Sequence, residues 1–122
     1  MAHILVVDDE PEIVTLVARL LEDRGHRVSV GRDGQEALDL IASERPDVLV
    51  IDLELPKVSG IEVVKRLRTA AATSDLNSVM MTARYPTVAD ADRGLSLGAD
   101  EYVVKPFLRE VLVHNVERLI VV

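Results

Sequence analysis

Apolar residues in this chain fall into two alternating patterns. Short unbroken runs, such as Ile4-Leu5-Val6-Val7 and Val48-Leu49-Val50-Ile51, are separated by longer stretches in which apolar positions recur every three or four residues. The first pattern reads as a strand buried on both faces, the second as an amphipathic helix. Strands are expected at His3–Val7, Arg27–Gly31, Val48–Asp52, 78–81 (running out at Thr82-Ala83) and Glu101–Val104. Arg27 and Ser29 interrupt the second of these, which places it near a sheet edge. A first helix follows Pro11, with Ile13, Leu16, Val17, Leu20 and Leu21 on one stripe and Gly25 at its end. A second spans 36–43 with Ala37, Leu38 and Ile41 inward, and a third opens at Gly60 with Ile61, Val64 and Leu67 inward. The stretch 87–97 is the weakest helix, because its stripe is sparse and Gly94 inside it costs about 1 kcal/mol against alanine. Gly98 closes it, and a last helix from Leu108 onward is expected to bury Leu108, Val111, Leu112, Leu119 and Ile120.

Strand and helix therefore alternate five times. Such alternation implies an α/β fold, a five-stranded parallel sheet with helices on both faces and right-handed crossovers. In a flavodoxin-like doubly wound (βα)5 sheet of order 2-1-3-4-5, the ends of strands one and three lie side by side where the chain reverses direction across the sheet, and ligands bind at that edge. The length of 122 residues suits one domain, expected over 1–122, and no repeat or linker divides it.

Composition narrows the function. Hydrophobic residues make up 48%, which argues against disorder, and aromatics only 2%, so Val, Leu, Ile and Ala must build the core. A net charge of -7 argues against sequence-independent nucleic-acid binding. Without cysteine there is no disulfide, thiolate nucleophile or Cys-based zinc site. No signal peptide is evident and no apolar run approaches a membrane span, so a cytoplasmic placement is expected.

The chemistry lies at the strand ends. Strand one runs into Asp8, Asp9 and Glu10, and strand three into Asp52. Taken singly, Asp8 and Asp9 suit a helix N-terminus and Asp52 suits a loop cap. Brought together in the 2-1-3-4-5 order, Asp8, Asp9 and Asp52 cannot all stay ionised unless one is protonated or a cation neutralises them. A hard, oxygen-preferring ion, Mg²⁺ (or Mn²⁺), is the economical answer. Thr82 at the end of strand four brings a hydroxyl, and Lys105 after strand five brings an ammonium. Hydroxyl, ammonium and metal around a carboxylate make a cradle for a phosphoryl group held on that carboxylate. The loop after strand one reads Asp-Asp-Glu-Pro-Glu and lacks the glycines of a nucleotide or flavin phosphate cradle. His3, His26 and His114 lie on different elements without ligand spacing.

Over essentially its whole length the chain resembles a response-regulator receiver domain of bacterial two-component signalling, a group with a chemotaxis-regulator-like fold. The likeness rests on Asp8-Asp9, Asp52 in IDLELPKVSG, Thr82 in MTAR, Lys105 in GADEYVVKPF, and DGQEAL at 33–38. The resemblance implies that Asp52 accepts a phosphoryl group from the phosphohistidine of a sensor histidine kinase or phosphotransfer protein. It further implies that Asp9 and Asp52 ligate Mg²⁺ directly, Asp8 acts mainly through water, and the carbonyl of Leu53 or Glu54, by position Glu54, completes the shell. Lys105 and Thr82 would contact the phosphoryl oxygens. In the switch the resemblance implies, Thr82 moves toward the phosphoryl group, Tyr102 rotates inward, and the 87–97 helix shifts. Glu54 and Arg84 occupy two positions that tune phosphoryl lifetime, either as an ion pair across the site mouth or as solvated side chains.

A downstream effector or fused output domain would read the change. No output domain follows Val122 in this sequence, so either a natural single-domain regulator or an excised receiver is expected. A homodimer through the last helix is a second expectation. The alternatives are a degenerate receiver that binds partners regardless of phosphorylation and a Mg²⁺-dependent aspartyl phosphohydrolase. Glu54 is the wrong length for the Asp-x-Asp motif of the latter.

Overall fold

In the computed structural model, which describes residues 2–82 and 98–120, strand and helix alternate as β1 (His3–Val7), α1 (Pro11–Glu22), β2 (Arg27–Gly31), α2 (Gly34–Ser43), β3 (Val48–Asp52), α3 (Gly60–Thr69), β4 (Asn77–Thr82), β5 (Glu101–Val104) and α4 (Arg109–Arg118). All strand pairs are parallel and the order is β2-β1-β3-β4-β5. This is the doubly wound sheet that the alternation implies, with the interrupted β2 at one edge. The helix expected at 87–97, and Arg84, lie outside the described residues.

The period-2 alternation of the strands divides the core into two layers. Leu5, Val7, Leu49, Ile51 and Met80 face α2 and α3, where they meet Ala37, Ile41, Val63, Val64 and Leu67. Ile4, Val6, Val48, Val50, Val79, Met81 and Val103 face the other way, onto Val17 and Leu21 of α1 and Leu112 and Val116 of α4. Strands β1 and β3 are buried at every position. That burial on both faces is why they read as continuous apolar runs.

Two helices bury a somewhat different line from the expected one. In α1 the buried residues are Val14, Val17 and Leu21, with Ile13 and Leu20 packed at the margin of the core, while Leu16, expected inward, is only half-buried. In α4 the correction is larger. Leu108 is 69% exposed and Val111 43%, and the inward residues are Leu112 and Val116, with Leu119 and Ile120 packed against the core. Leu108 precedes the helix as its N-cap, in extended backbone. The helical period therefore starts at Arg109, and positions four apart from Leu112 define the core face.

Glycine settles two close approaches around the loop between β3 and α3. A Cβ on Gly60, the first residue of α3, would lie 2.0 Å from the carbonyl oxygen of Asp52, and one on Gly34, the first of α2, 1.8 Å from that of Val58. Both helices are also capped. Asp33 Oδ1 accepts from the Glu36 N–H at 2.8 Å, and Ser59 Oγ accepts from the Glu62 N–H at 3.1 Å. The chain leaving Asp52 is therefore clamped between two helix N-termini, and Asp33 also lies 3.6 Å from Lys57 in that loop.

Candidate functional site

Strand register brings the polar residues together. Val7 pairs with Ile51, Asp52 with Met81, and Thr82 with Val104, so Asp8, Asp52, Thr82 and Lys105 all fall within two residues of each other's level at the C-terminal edge of the sheet. Backbone hydrogen bonds stitch that edge across neighbouring strands. The Asp8 N–H donates to the Gly31 carbonyl at 3.2 Å, the Leu53 N–H to the Met81 carbonyl at 2.7 Å, and the Lys105 N–H to the Thr82 carbonyl at 2.6 Å. The side-chain alternation of β1, β3 and β5 then carries Asp8, Asp52 and Lys105 to the same face, the one covered by α1 and α4.

On that face the side chains meet. Lys105 Nζ lies 2.8 Å from Asp8 Oδ2, 3.5 Å from Glu10 Oε1 and 3.7 Å from Asp52 Oδ1. Asp8, Asp52, Thr82 and Lys105 are all buried, Asp8 completely, whereas Asp9 and Glu10 are exposed at the rim. The other oxygen of Asp8, Oδ1, accepts from the Glu10 N–H at 2.9 Å. Glu54 is exposed in the loop after β3, and its backbone N–H donates to the Asp52 carboxylate.

Burial, with the negative charges of Asp8 and Asp9 adding to it, raises the Asp52 carboxyl from 3.8 to about 7, against the opposing pull of Lys105 and the Glu54 N–H. Burial acts to lower the Lys105 ammonium, yet its hydrogen bond to Asp8 and the charges of Asp52, Asp8 and Glu10 outweigh that and hold it above its ordinary value. Lys105 is therefore a fixed cation, and Asp52 is a carboxylate poised near neutrality.

The donor set fits a hard dication. Carboxylate oxygens of Asp8, Asp9 and Glu10 lie within 4.8 Å of one another. Three carboxylates, those of Asp8, Glu10 and Asp52, lie within 4 Å of the one Lys105 ammonium, and Asp9 stands beside the first two. An all-oxygen, charge-rich mouth of this kind suits Mg²⁺ or Mn²⁺.

Sequence reasoning thus named Asp8, Asp9, Asp52, Thr82 and Lys105, which the sheet edge brings together. Tyr102 pairs with Met80 on β5 and packs half-buried against the α2–α3 side of the core. The residue it overlooked is Glu10. An acid at the start of a helix is adequately explained by the dipole, but Glu10 makes no capping hydrogen bond and leans on Lys105 instead. Three consecutive acids at one strand end were the available signal. His3 and His26 are engaged structurally, His3 Nε2 with Ser29 Oγ at 2.8 Å and His26 Nε2 with Glu117 Oε2 at 2.9 Å.

A parallel 2-1-3-4-5 sheet carrying carboxylates, a hydroxyl and a lysine at its C-terminal edge is the architecture of a signalling receiver. The chain belongs to the response regulator receiver domain family, whose profile matches residues 4–117, and it is the receiver domain of a response regulator in two-component signalling. Among curated relatives, response regulator MprA of Mycolicibacterium vanbaalenii is 42% identical over 118 residues, which cover 97% of this chain and 50% of that protein. MprA of Mycobacterium tuberculosis matches to the same extent. The chain spans about half the length of these curated relatives. Among solved structures, a putative response regulator from Chloroflexus aurantiacus superposes with a TM-score of 0.92 at 31% identity, covering 98% of this chain and 97% of that one. The chemotaxis response regulator CheY4 of Vibrio cholerae superposes with a TM-score of 0.90 at 33% identity, covering 98% of each chain. No helix among the described residues is long and apolar enough to cross a membrane.

Proposed function

We propose that residues 1–122 act as one phosphorylation-activated switch in which Asp52 takes a phosphoryl group from a histidine kinase or phosphotransfer protein. The observation that carries this reading is a buried carboxylate, Asp52, facing a fixed ammonium, Lys105, at 3.7 Å. In the transfer, an Asp52 oxygen forms the new bond to phosphorus. The phosphorus–nitrogen bond of the phosphohistidine breaks, and its electron pair stays on the imidazole, which then takes a proton from solvent. The Asp52 nucleophile must be ionised, and its elevated pKa works against that until positive charge is near.

Asp9 and Asp52, with the Glu54 carbonyl and with Asp8 through water, would hold a dication, which would neutralise charge on the carboxylate and the incoming phosphoryl oxygens. Lys105 contributes a positive charge 3.7 Å from Asp52 Oδ1, and the Thr82 hydroxyl would donate to a phosphoryl oxygen. Burial keeps bulk water from the acyl phosphate. Thr82 and Tyr102 lie on adjacent strands, with Thr82 beside Val104 and Tyr102 beside Met80. A shift of Thr82 toward the phosphoryl group is thus adjacent to a half-buried aromatic that can follow it, and the partner-binding face changes with it. The chain is a phosphoacceptor rather than an enzyme acting on a separate substrate, with self-catalysed phosphotransfer and dephosphorylation only. Its partners are the kinase upstream and an effector or fused output domain downstream, in the cytoplasm.

Metal dependence tests the reading. With acetyl phosphate as donor, phosphoryl incorporation is expected to proceed with Mg²⁺ or Mn²⁺ and to fall below a tenth of that rate in EDTA, since a loss of about 1.4 kcal/mol of transition-state stabilisation is already tenfold. Equal incorporation in EDTA, or multiple turnover of small phosphate esters, would overturn it.

A further inference from the structure

Asp52 and Lys105 face each other from strands that are not neighbours. β3 and β5 are separated by β4 and share no ladder. β5 is four residues long, stands at the sheet edge, and pairs with β4 alone among the described residues. Few backbone bonds therefore set its register, and a slip of one residue would turn Tyr102 and Lys105 to the opposite faces. Side chains hold its entry. Asp100 Oδ2 accepts the Ser78 N–H at 2.8 Å, and the Asp100 N–H donates to the Ser78 carbonyl at 2.9 Å. Arg68, in the last turn of α3, closes over this pair. Its Nε and Nη2 donate to the Gly98 carbonyl at 2.9 and 2.7 Å, and Nη2 also reaches Ser78 Oγ and Asp100 Oδ2, each at 3.2 Å. Gly98, at φ +104°, leaves room for the arginine, since a Cβ there would stand 2.7 Å from Arg68 Cγ.

We propose that Arg68 is a positioning residue: it fastens the entry of β5 to the end of α3 and so fixes the register in which Lys105 faces Asp52. As a role in phosphotransfer, this rests on the phosphoacceptor reading of Asp52. The opposite end of α3 supplies the reason. Gly60, its first residue, packs against the Asp52 carbonyl and donates its N–H to the Leu53 carbonyl at 3.0 Å. α3 has ten residues and is about 15 Å long. One of its ends therefore touches the strand that carries the carboxylate, and the other, through Gly98 and Asp100, the strand that carries the ammonium. Both reacting groups are referred to one rigid helix, although no ladder joins their strands. A forked guanidinium suits this task better than a point charge, because one planar group meets the Gly98 carbonyl with two donors and two further oxygens at once. With Arg68 gone, the Asp100–Ser78 pair and the short β4 ladder would be left to oppose a slip at the entry of β5.

Arg68→Met, Arg68→Lys and Arg45→Met separate positioning from stability. Arg45 is the control: its guanidinium donates to the Ala72 carbonyl at 2.6 Å and to Asp75 Oδ1 at 2.9 Å, both in the loop before β4. Thermal unfolding fixes a temperature at which every variant is folded, and Arg68→Gln replaces Arg68→Met if the latter does not fold. At that temperature, phosphoryl incorporation from acetyl phosphate with Mg²⁺ is expected to fall about tenfold in Arg68→Met, because a misplacement on the order of 1 Å at a reacting group can cost even more. Exchange of the Lys105 amide, bonded to the Thr82 carbonyl, should quicken about tenfold by NMR, while that of the Asp8 amide, bonded to the Gly31 carbonyl, is unchanged. Arg45→Met is expected to leave both readouts within about twofold of wild type. Arg68→Lys, which keeps the charge but not the fork, should remain at least about threefold below wild type in incorporation. Equal effects of the Arg68 and Arg45 variants, unchanged Lys105 exchange, or full recovery by lysine would each overturn the proposal. If wild type takes up no phosphoryl group, the phosphoacceptor reading fails on its own, and the exchange comparison still decides whether Arg68 holds β5.

Discussion

Asp52→Asn is expected to make the folded protein more stable at pH 8 in the absence of divalent ions, by roughly 3 kcal/mol. The Asp52 carboxyl rises from 3.8 to about 7 on folding. A raised carboxyl pKa means that the native state holds a proton more tightly than the unfolded chain. Between about pH 4 and pH 7 the native state therefore binds the extra proton, and stability falls as pH rises through that window. Each tenfold gain in proton affinity is worth about 1.4 kcal/mol, so the ionised form at pH 8 is disfavoured by about 4 kcal/mol as an upper figure. Solvent screening at the partly open mouth of the site brings the expected value down to the lower figure. The amide cannot ionise and escapes this loss. Urea unfolding in EDTA should thus show the variant ahead at pH 8, by about 10 °C in a parallel thermal scan, and nearly level with wild type at pH 5. An equal difference at both pH values would mean that the gain comes from packing rather than from charge, and the electrostatic account of the site would be wrong.

Gly60→Ala is expected to be the most damaging conservative change near the site. The new Cβ would stand 2.0 Å from the Asp52 carbonyl oxygen and 2.9 Å from its carbonyl carbon. Both obstacles are backbone, so no rotamer change relieves the overlap. Either α3 lifts off the end of β3 or the Asp52 peptide turns away, and the Gly60 N–H to Leu53 carbonyl hydrogen bond of 3.0 Å is lost with it. Overpacking of this kind costs about 3 kcal/mol, lowering the unfolding midpoint by roughly 10 °C in a domain of this size. Because the displaced group is the backbone of the proposed phosphoacceptor, phosphoryl incorporation from acetyl phosphate should drop as well, even at a temperature where the variant is fully folded. A variant within about 2 °C of wild type would contradict the close approach.

The sequence displayed the sheet edge well and the helix faces less well, for physical reasons. Strands β1 and β3 are buried on both sides, so each leaves an unbroken apolar run whose last residue before the first carboxylate marks the edge. Parallel order then converts those run ends into a cluster, which is why Asp8, Asp9, Asp52, Thr82 and Lys105 could be named without coordinates. The α4 face was not legible in the same way. Leu108, Val111 and Leu112 satisfy helical spacing as well as Leu112 and Val116 do, and only the N-cap at Leu108 decides between them. Val14 and Val63, buried beside the expected stripes of α1 and α3, show the same ambiguity of one position. Glu10 was hidden because a local explanation, complementing the helix dipole, already accounted for it. Its contact with Lys105 joins residues 95 positions apart, and no local pattern records such a pairing. The pH-sensitive character of Asp52 was anticipated only in kind, since crowded carboxylates demand neutralisation, whereas its size depends on how completely the sheet edge excludes water.

The most direct test of Asp52 as phosphoacceptor is the intact mass of the protein after incubation with acetyl phosphate and Mg²⁺, beside Asp52→Ala treated identically. A single labile phosphoryl adduct is expected on wild type and none on the variant. An adduct of equal occupancy on Asp52→Ala would place the phosphoryl group elsewhere, and no adduct on wild type, even with a phosphorylated histidine kinase as donor, would contradict the phosphoacceptor reading outright.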